Sequence, residues 1–430
     1  MCSHTVLVAF HMLFALALCV IALDLCYAPS EGVFHDCVLS GPIIKMRVGL
    51  LISAIALLAA GEEECVSTMT SARIKEALRE QHVTIADIEL KHAPQSKQEL
   101  DAALKIFEKY GVLLIRGLQK THAPAIEKAS AEAFARSVRL LEAGHITPVQ
   151  NDDNLVGWIT PEQTLFIPAP EGHTRTKQAM VLALDYYSDA SALAVATDPV
   201  TLDVLEVLLG SPNIETFGKG QCFYKEGVPL ATTVGGVSKS MMGHNASADI
   251  SVAAAVAPGG NPKYLHQDSA YFMFAHKGAV ATFSYVVPTS GELDNGPLHV
   301  VPGSHAFGHL PHVDTPSHLG CSGEWSFDDA LRIDGDAGDT IFFHIHTLHG
   351  SPPNRSPQPR PVMINRYIEA SDYQIYFATD ARMRERAKEE YEEGVRNGRL
   401  PPKERGIMVR GAREWREDGP AWKLDARVNH

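Results

Sequence analysis

His266 and Asp268 are separated only by Gln267. On an extended segment that spacing sends the outer two side chains to one side and the middle one to the other, so an imidazole and a carboxylate can reach a single ion. Two histidines and one carboxylate on one face of a divalent iron leave its remaining positions open for a cosubstrate and oxygen. The pair therefore predicts a further histidine, distant in the chain and close in space. Gly338–Ser351 is the stretch to supply it, since a turn at Gly338-Asp339 releases an apolar strand running through His344 and His346 to His349. Arg360 follows His349 by eleven positions. That offset suits a second strand running back beside the first, and a guanidinium fork there matches a carboxylate bidentately. Ser351 offers a hydroxyl to the same carboxylate.

A lone H-x-D is a weak signal in a chain with 20 histidines, and a second copy stands at His312-Val313-Asp314. That copy is set aside because it lies between Pro311 and Pro316, a stretch expected to resist strand pairing. His266 and Asp268 are followed instead by a long apolar run.

The ordered series resembles the phytanoyl-CoA dioxygenase-like family of iron(II)- and 2-oxoglutarate-dependent oxygenases. The matching pieces are Leu265-His266-Gln267-Asp268, the run Asn295–His305, the turn and strand Gly338–His344, and His349-Gly350-Ser351-Pro352-Pro353-Asn354-Arg355-Ser356. The resemblance spans roughly residues 97 to 370. It implies iron on His266, Asp268 and His349, with the 2-oxoglutarate carboxylate on Arg360 and Ser351. It also implies a lysine upstream of the H-x-D pair, for which Lys177 is the candidate. The resemblance favours His349 over His344 and His346, which are then packing histidines or neighbours of the ligands, and Arg366 stands as runner-up to Arg360. His299 and His305 read as polar residues flanking turns. Tyr264, Tyr271, Phe272 and Phe274 either line a substrate pocket or pack the core.

The implied chemistry is oxidation of an aliphatic C–H of a small organic or acyl substrate, with O2 as oxidant, succinate and CO2 released, and ascorbate as an allowed reductant. A halogenase of the same architecture would need the Asp268 position vacated for halide. A different class, a cupin-like metal-binding isomerase or a catalytically silent sensor, would have no use for Arg360 and Ser351.

The elements that must position these residues fit an α+β fold, a double-stranded β-helix or jelly roll buttressed by N-terminal helices. Helices are expected near Ala72 to Gln81, then after a capping box at Ser96 and Glu99, from Ala123 to Ala143, and from Asp198, a cap, through Pro199 to Gly210. Val112–Ile115 reads as a buried strand, and the stretch from Gly144 to about His173 as an irregular loop. Short strands follow at Gln221 to Tyr224, Ile250 to Ala257, Lys263 to Asp268, Ala279 to Val287, Leu298 to Val301, Thr340 to His346 and Val362 to Ile368.

With 430 residues and 45% apolar content, one large core is within reach. A net charge of −13 argues against a nucleic-acid partner, and the resemblance implies a small-molecule substrate instead. Five of seven cysteines precede residue 66, so Cys222 and Cys321 are read as free thiols in the body.

The organisation expected is a hydrophobic segment over 1–68, an oxygenase domain over 69–380 and a charged helical extension over 381–430. Val6 to Leu23 is apolar apart from His11, and Val48 to Ala60 follows Lys45 and Arg47 in the manner of a signal peptide starting at Met46. Three readings stand: a membrane anchor, a signal peptide, or an extension outside the working protein. The first two place the chain in the secretory pathway or attach it to a membrane, the third in the cytoplasm. The tail is expected to pack Ile407, Trp415 and Trp422 on the body. Nothing in the sequence speaks to oligomeric state.

Overall fold

Eight short strands form the frame that carries the predicted site: β1 Gln221–Lys225, β2 Lys263–His266, β3 Val280–Tyr285, β4 Leu298–Val300, β5 Leu331–Ile333, β6 Thr340–His344, β7 His349–Ser351 and β8 Arg360–Glu369. In this computed structural model the described residues are 70–151, 154–169, 173–227, 262–274, 277–315, 319–323, 325–372, 374–376 and 406–412. The N-terminal hydrophobic runs, the expected strand at 250–257, the charged helix after Asp380, and Trp415 and Trp422 lie outside them. No helix among the described residues is long and apolar enough to cross a membrane.

One sheet contains the order β1-β8-β3-β6 and the other the order β5-β4-β7-β2, all antiparallel. This is the double-stranded β-helix, and it joins with the helices into the α+β fold expected. Period-two alternation sorts the residues of β8. Val362 and Ile364 turn inward to meet Phe283, Tyr285, Leu298, Val300 and Phe343 from both sheets. Met363 and Tyr367 turn outward, to the helices.

The helices cover the outer face for reasons visible in their ends. Ser96 Oγ accepts the Glu99 N–H at 3.3 Å, while the Glu99 carboxylate reaches back to the Gln95 N–H at 2.6 Å, one residue before the cap. The helix Lys97–Tyr110 stops at Gly111, whose φ of 66° is left-handed. Asp198 caps Pro199–Leu209 through the Thr201 N–H at 2.8 Å. Phe107 of the first helix, and Leu202 and Leu205 of the second, pack on Val280, Phe342 and Tyr367. Truncating Phe342 to Ala there would cost about 3–5 kcal/mol.

Two expectations are corrected. The stretch expected as loop after Gly144 holds strands Thr147–Asn151, Asn154–Ile159 and Leu165–Pro168, a meander joined through Lys177–Leu182 to β1. Irregular register after Val149 and Leu165 breaks the alternation that would have revealed it. His312–Asp314 is a paired strand after all, matched with Leu319–Cys321, because Pro311 and Pro316 flank it rather than occupy it. In the C-terminal extension, Met408–Arg410 pairs with Ile214–Thr216, itself beside β8.

Candidate metal centre

β2 and β7 are neighbours, and their register sets His266 opposite His349. The two rings stand 4.4 Å apart between centroids. β2 ends at His266, Gln267 stays extended, and Asp268 opens a short 3-10 turn. The two-residue period therefore survives to Asp268, whose Oδ1 lies 3.8 Å from His349 Nε2. One ligand atom from each of His266, Asp268 and His349 lies within 4.8 Å of the others, the one such His/Asp group among the described residues. Gln267 faces away, as its spacing requires, donating to Gly308 O at 2.8 Å and His346 O at 2.6 Å and accepting from Leu310 N at 2.7 Å.

The donor set suits a metal ion. His266 Nδ1 lies 2.8 Å from Tyr264 O and His349 Nδ1 lies 2.9 Å from Thr347 O, so each ring is tied through Nδ1 and presents a lone pair at Nε2. Burial holds both rings in the neutral form that binds metal; for His266 the neighbouring His349 adds to the effect, while for His349 Asp268 opposes it. Burial would raise the Asp268 carboxyl, but the adjacent Arg366 and then His349 outweigh it and hold the group at about 2. Arg366 Nε donates to Asp268 Oδ2 at 2.9 Å, leaving Oδ1 for the ion.

Further along the inward face of β8 lies Arg360, 1% exposed. Its Nη2 is 3.5 Å from Ser351 Oγ, and its Nε and Nη1 are buried without a partner. β1 sets Lys225 directly beside it, with the amino group donating to Ser351 O at 3.0 Å and to Pro352 O. Lys263 sits over the Phe223 ring at 5.5 Å. An extra residue on β2 between the two register pairs turns it to that side. Burial pushes Arg360 down to about 10 and Lys263 down to about 8; Lys225 falls well below the usual lysine value through burial, then Arg360 and Lys263. No carboxylate among the described residues forms an ion pair with any of the three. Orphaned cationic nitrogens in a dry site fit an anionic ligand.

The chain matches the model of the phytanoyl-CoA dioxygenase (PhyH) family over residues 107–362. The chain belongs to that family. The matched stretch contains His266, Asp268, His349, Ser351 and Arg360.

Among curated proteins, the probable alpha-ketoglutarate-dependent hypophosphite dioxygenase of Stutzerimonas stutzeri is 28% identical over 126 residues, 27% of this chain and 43% of that protein. The chain thus spans less than half of that relative's length. Among solved structures, the apo non-heme monooxygenase ThoJ is 17% identical over 74% of this chain and 85% of its own, with a TM-score of 0.42. The epimerase SnoN, solved with Fe3+, alpha ketoglutarate and nogalamycin RO, is 17% identical over 74% and 98%, also at 0.42. The family match carries the assignment.

Several predicted residues have other places. Lys177 lies over the Trp158 ring at 4.3 Å, and no contact among the described residues joins it to Arg360, Ser351 or the triad. The lysines beside the arginine are Lys225 and Lys263. Lys225 shares the strand phase of Gln221, a signal available in the sequence. Arg366, the runner-up anchor, is the partner of Asp268. His312 Nε2 accepts the Gln267 N–H at 3.0 Å, away from any metal group. His344 faces Phe107 and His305, and His346 faces His309, rather than the triad, with the two rings 5.3 Å apart between centroids. His299 is buried on β4 against Phe327, not at a turn. Phe272 and Phe274 are core, while the Tyr271 ring stands edge-on to His266 at 6.0 Å.

Proposed function

We propose that this chain oxidises an aliphatic C–H of a small organic or acyl substrate, converting 2-oxoglutarate to succinate and CO2. When bound, iron and 2-oxoglutarate supply the oxidising power by dividing dioxygen between cosubstrate and substrate. His266 and His349 would hold the ion through Nε2, and Asp268 through Oδ1. Arg366 holds the second Asp268 oxygen, so that the carboxylate would meet the ion through Oδ1. Arg360 and Ser351 take the distal carboxylate, with Lys225 and Lys263 adding positive charge.

The observation that carries this reading is the buried Arg360 with two unused nitrogens in the same barrel as the triad. A non-oxidative cupin-like isomerase or a silent sensor gives that arginine nothing to bind. Anaerobic addition of iron(II) and 2-oxoglutarate is expected to produce a weak visible charge-transfer band, and aerobic incubation to release succinate. His266→Ala abolishes both. Arg360→Ala weakens cosubstrate binding but retains iron. A band that survives His266→Ala and vanishes with His312→Ala would overturn the ligand assignment.

A further inference from the structure

Beside Asp268, the inward face of β8 carries a cation only partly used by the protein. Arg366 donates from Nε to Asp268 Oδ2 at 2.9 Å and from Nη1 to Gln221 Oε1 at 3.0 Å. Its Nη2 has no partner among the described residues, and the side chain is 16% exposed, so this edge of the guanidinium is open rather than sealed in the core. Gln221 is half-buried, and its Nε2 likewise has no partner among the described residues. Phe272 backs the guanidinium at 5.3 Å from its ring centroid, and Phe217 and Phe274 pack on Phe272. An apolar backing keeps water from one side and leaves the charge less screened.

Charge balance points the same way. Asp268 is the one carboxylate in salt-bridge contact with Arg366 among the described residues, and it is also a predicted metal ligand. Once Asp268 and the two carboxylates of 2-oxoglutarate are set against a ferrous ion, Arg360, Arg366 and Lys263, the barrel is left with net positive charge. We infer that the substrate is an anion, whose carboxylate or other oxyanion group is received by Arg366 Nη2 and the Gln221 amide, placing the adjoining bond at the metal's open face. This rests on the iron and 2-oxoglutarate reading above. Arg366 thus has two tasks, holding Asp268 with one edge and reading substrate charge with the other, as a planar fork with five donors allows.

The test uses the full chain loaded anaerobically with iron(II) and saturating 2-oxoglutarate, with perturbation of the charge-transfer band as the binding signal. The probes are hypophosphite, methylphosphonate, butanoate and hexanoate, against the neutral butanamide and hexanamide. At least one oxyanion is expected to shift the band saturably, and the amides to leave it unchanged. Arg366→Gln should weaken that oxyanion by roughly 10- to 100-fold, the scale of one charge-assisted contact. Arg366→Lys should recover part of the affinity. Gln221→Leu, which leaves the Asp268–Arg366 pair intact, should weaken it several-fold and decides the matter if Arg366→Gln does not load iron. The inference is overturned if no oxyanion shifts the band, if an amide binds as tightly as its acid, or if removing the positive charge leaves oxyanion affinity unchanged. Failure of the band to form in the unaltered chain would instead remove the iron and 2-oxoglutarate reading itself.

Discussion

The two arginines on the inward face of β8 occupy opposite electrostatic situations within one strand. At the metal end Arg366 faces Asp268 and Gln221, so the protein supplies its own counter-charge. At the other end Arg360, with Lys225 and Lys263 beside it, faces a serine hydroxyl, backbone carbonyls and an aromatic ring, with no acid in ion-pair contact among the described residues. The first arrangement holds a ligand residue in place. The second leaves buried cationic nitrogens without a counter-charge among the described residues, at a cost to the folded protein.

The largest consequence of this difference lies in stability without ligands. Arg366→Leu leaves the Asp268 carboxylate buried and unpaired, a loss expected at about 3–5 kcal/mol. Chemical denaturation of the metal-free protein would measure it, and added iron should restore much of the loss. Arg360→Met removes an unpaired buried cation and should leave the metal-free protein as stable or more so, by about 1–4 kcal/mol on the scale of such replacements. Its effect appears in binding: 2-oxoglutarate affinity should drop by roughly 100-fold, since two charge-assisted contacts are lost. Equal destabilisation by the two substitutions would break the distinction.

A pH series sharpens it further. The Asp268 carboxyl is held at about 2 in the folded chain, below its ordinary value of 3.8. A depressed folded value contributes stability that is present above the ordinary one and is lost as pH falls from about 4 towards 2. The difference in stability between the wild-type chain and Asp268→Asn should therefore shrink across that window. Arg360, held at about 10, stays charged throughout it and gives no such slope. The smallest effect is expected at His344, outside both ends. His344→Phe removes the acceptor of the His346 N–H, a loss of about 1 kcal/mol, and should leave iron affinity unchanged.

Much of this was legible in the chain. The H-x-D pair needed only the two-residue period, and Gln267 behaves as that period demands. The helix caps at Ser96 and Asp198 and the strand after Gly338 were local signals of the same kind. At Gly338 φ is 92°, and a Cβ would stand 2.3 Å from Lys120 Cα, so only glycine serves that turn. What was hidden depends on register between distant segments. Nothing local says that His349 pairs with His266, or that an extra residue on β2 swings Lys263 towards Phe223. The lysine expected at Lys177 was misplaced for that reason. Arg366 read as a second-choice anchor because its counter-charge, Asp268, comes from 98 residues away in the chain.

Anomalous diffraction at the iron edge, from crystals grown anaerobically with iron(II) and 2-oxoglutarate, tests the central claim most directly. The expected result is one peak between His266 Nε2, Asp268 Oδ1 and His349 Nε2, with the distal carboxylate of 2-oxoglutarate against the Arg360 guanidinium. A peak among His305, His344 and His346, or a cosubstrate carboxylate that leaves Arg360 without a partner, would contradict it.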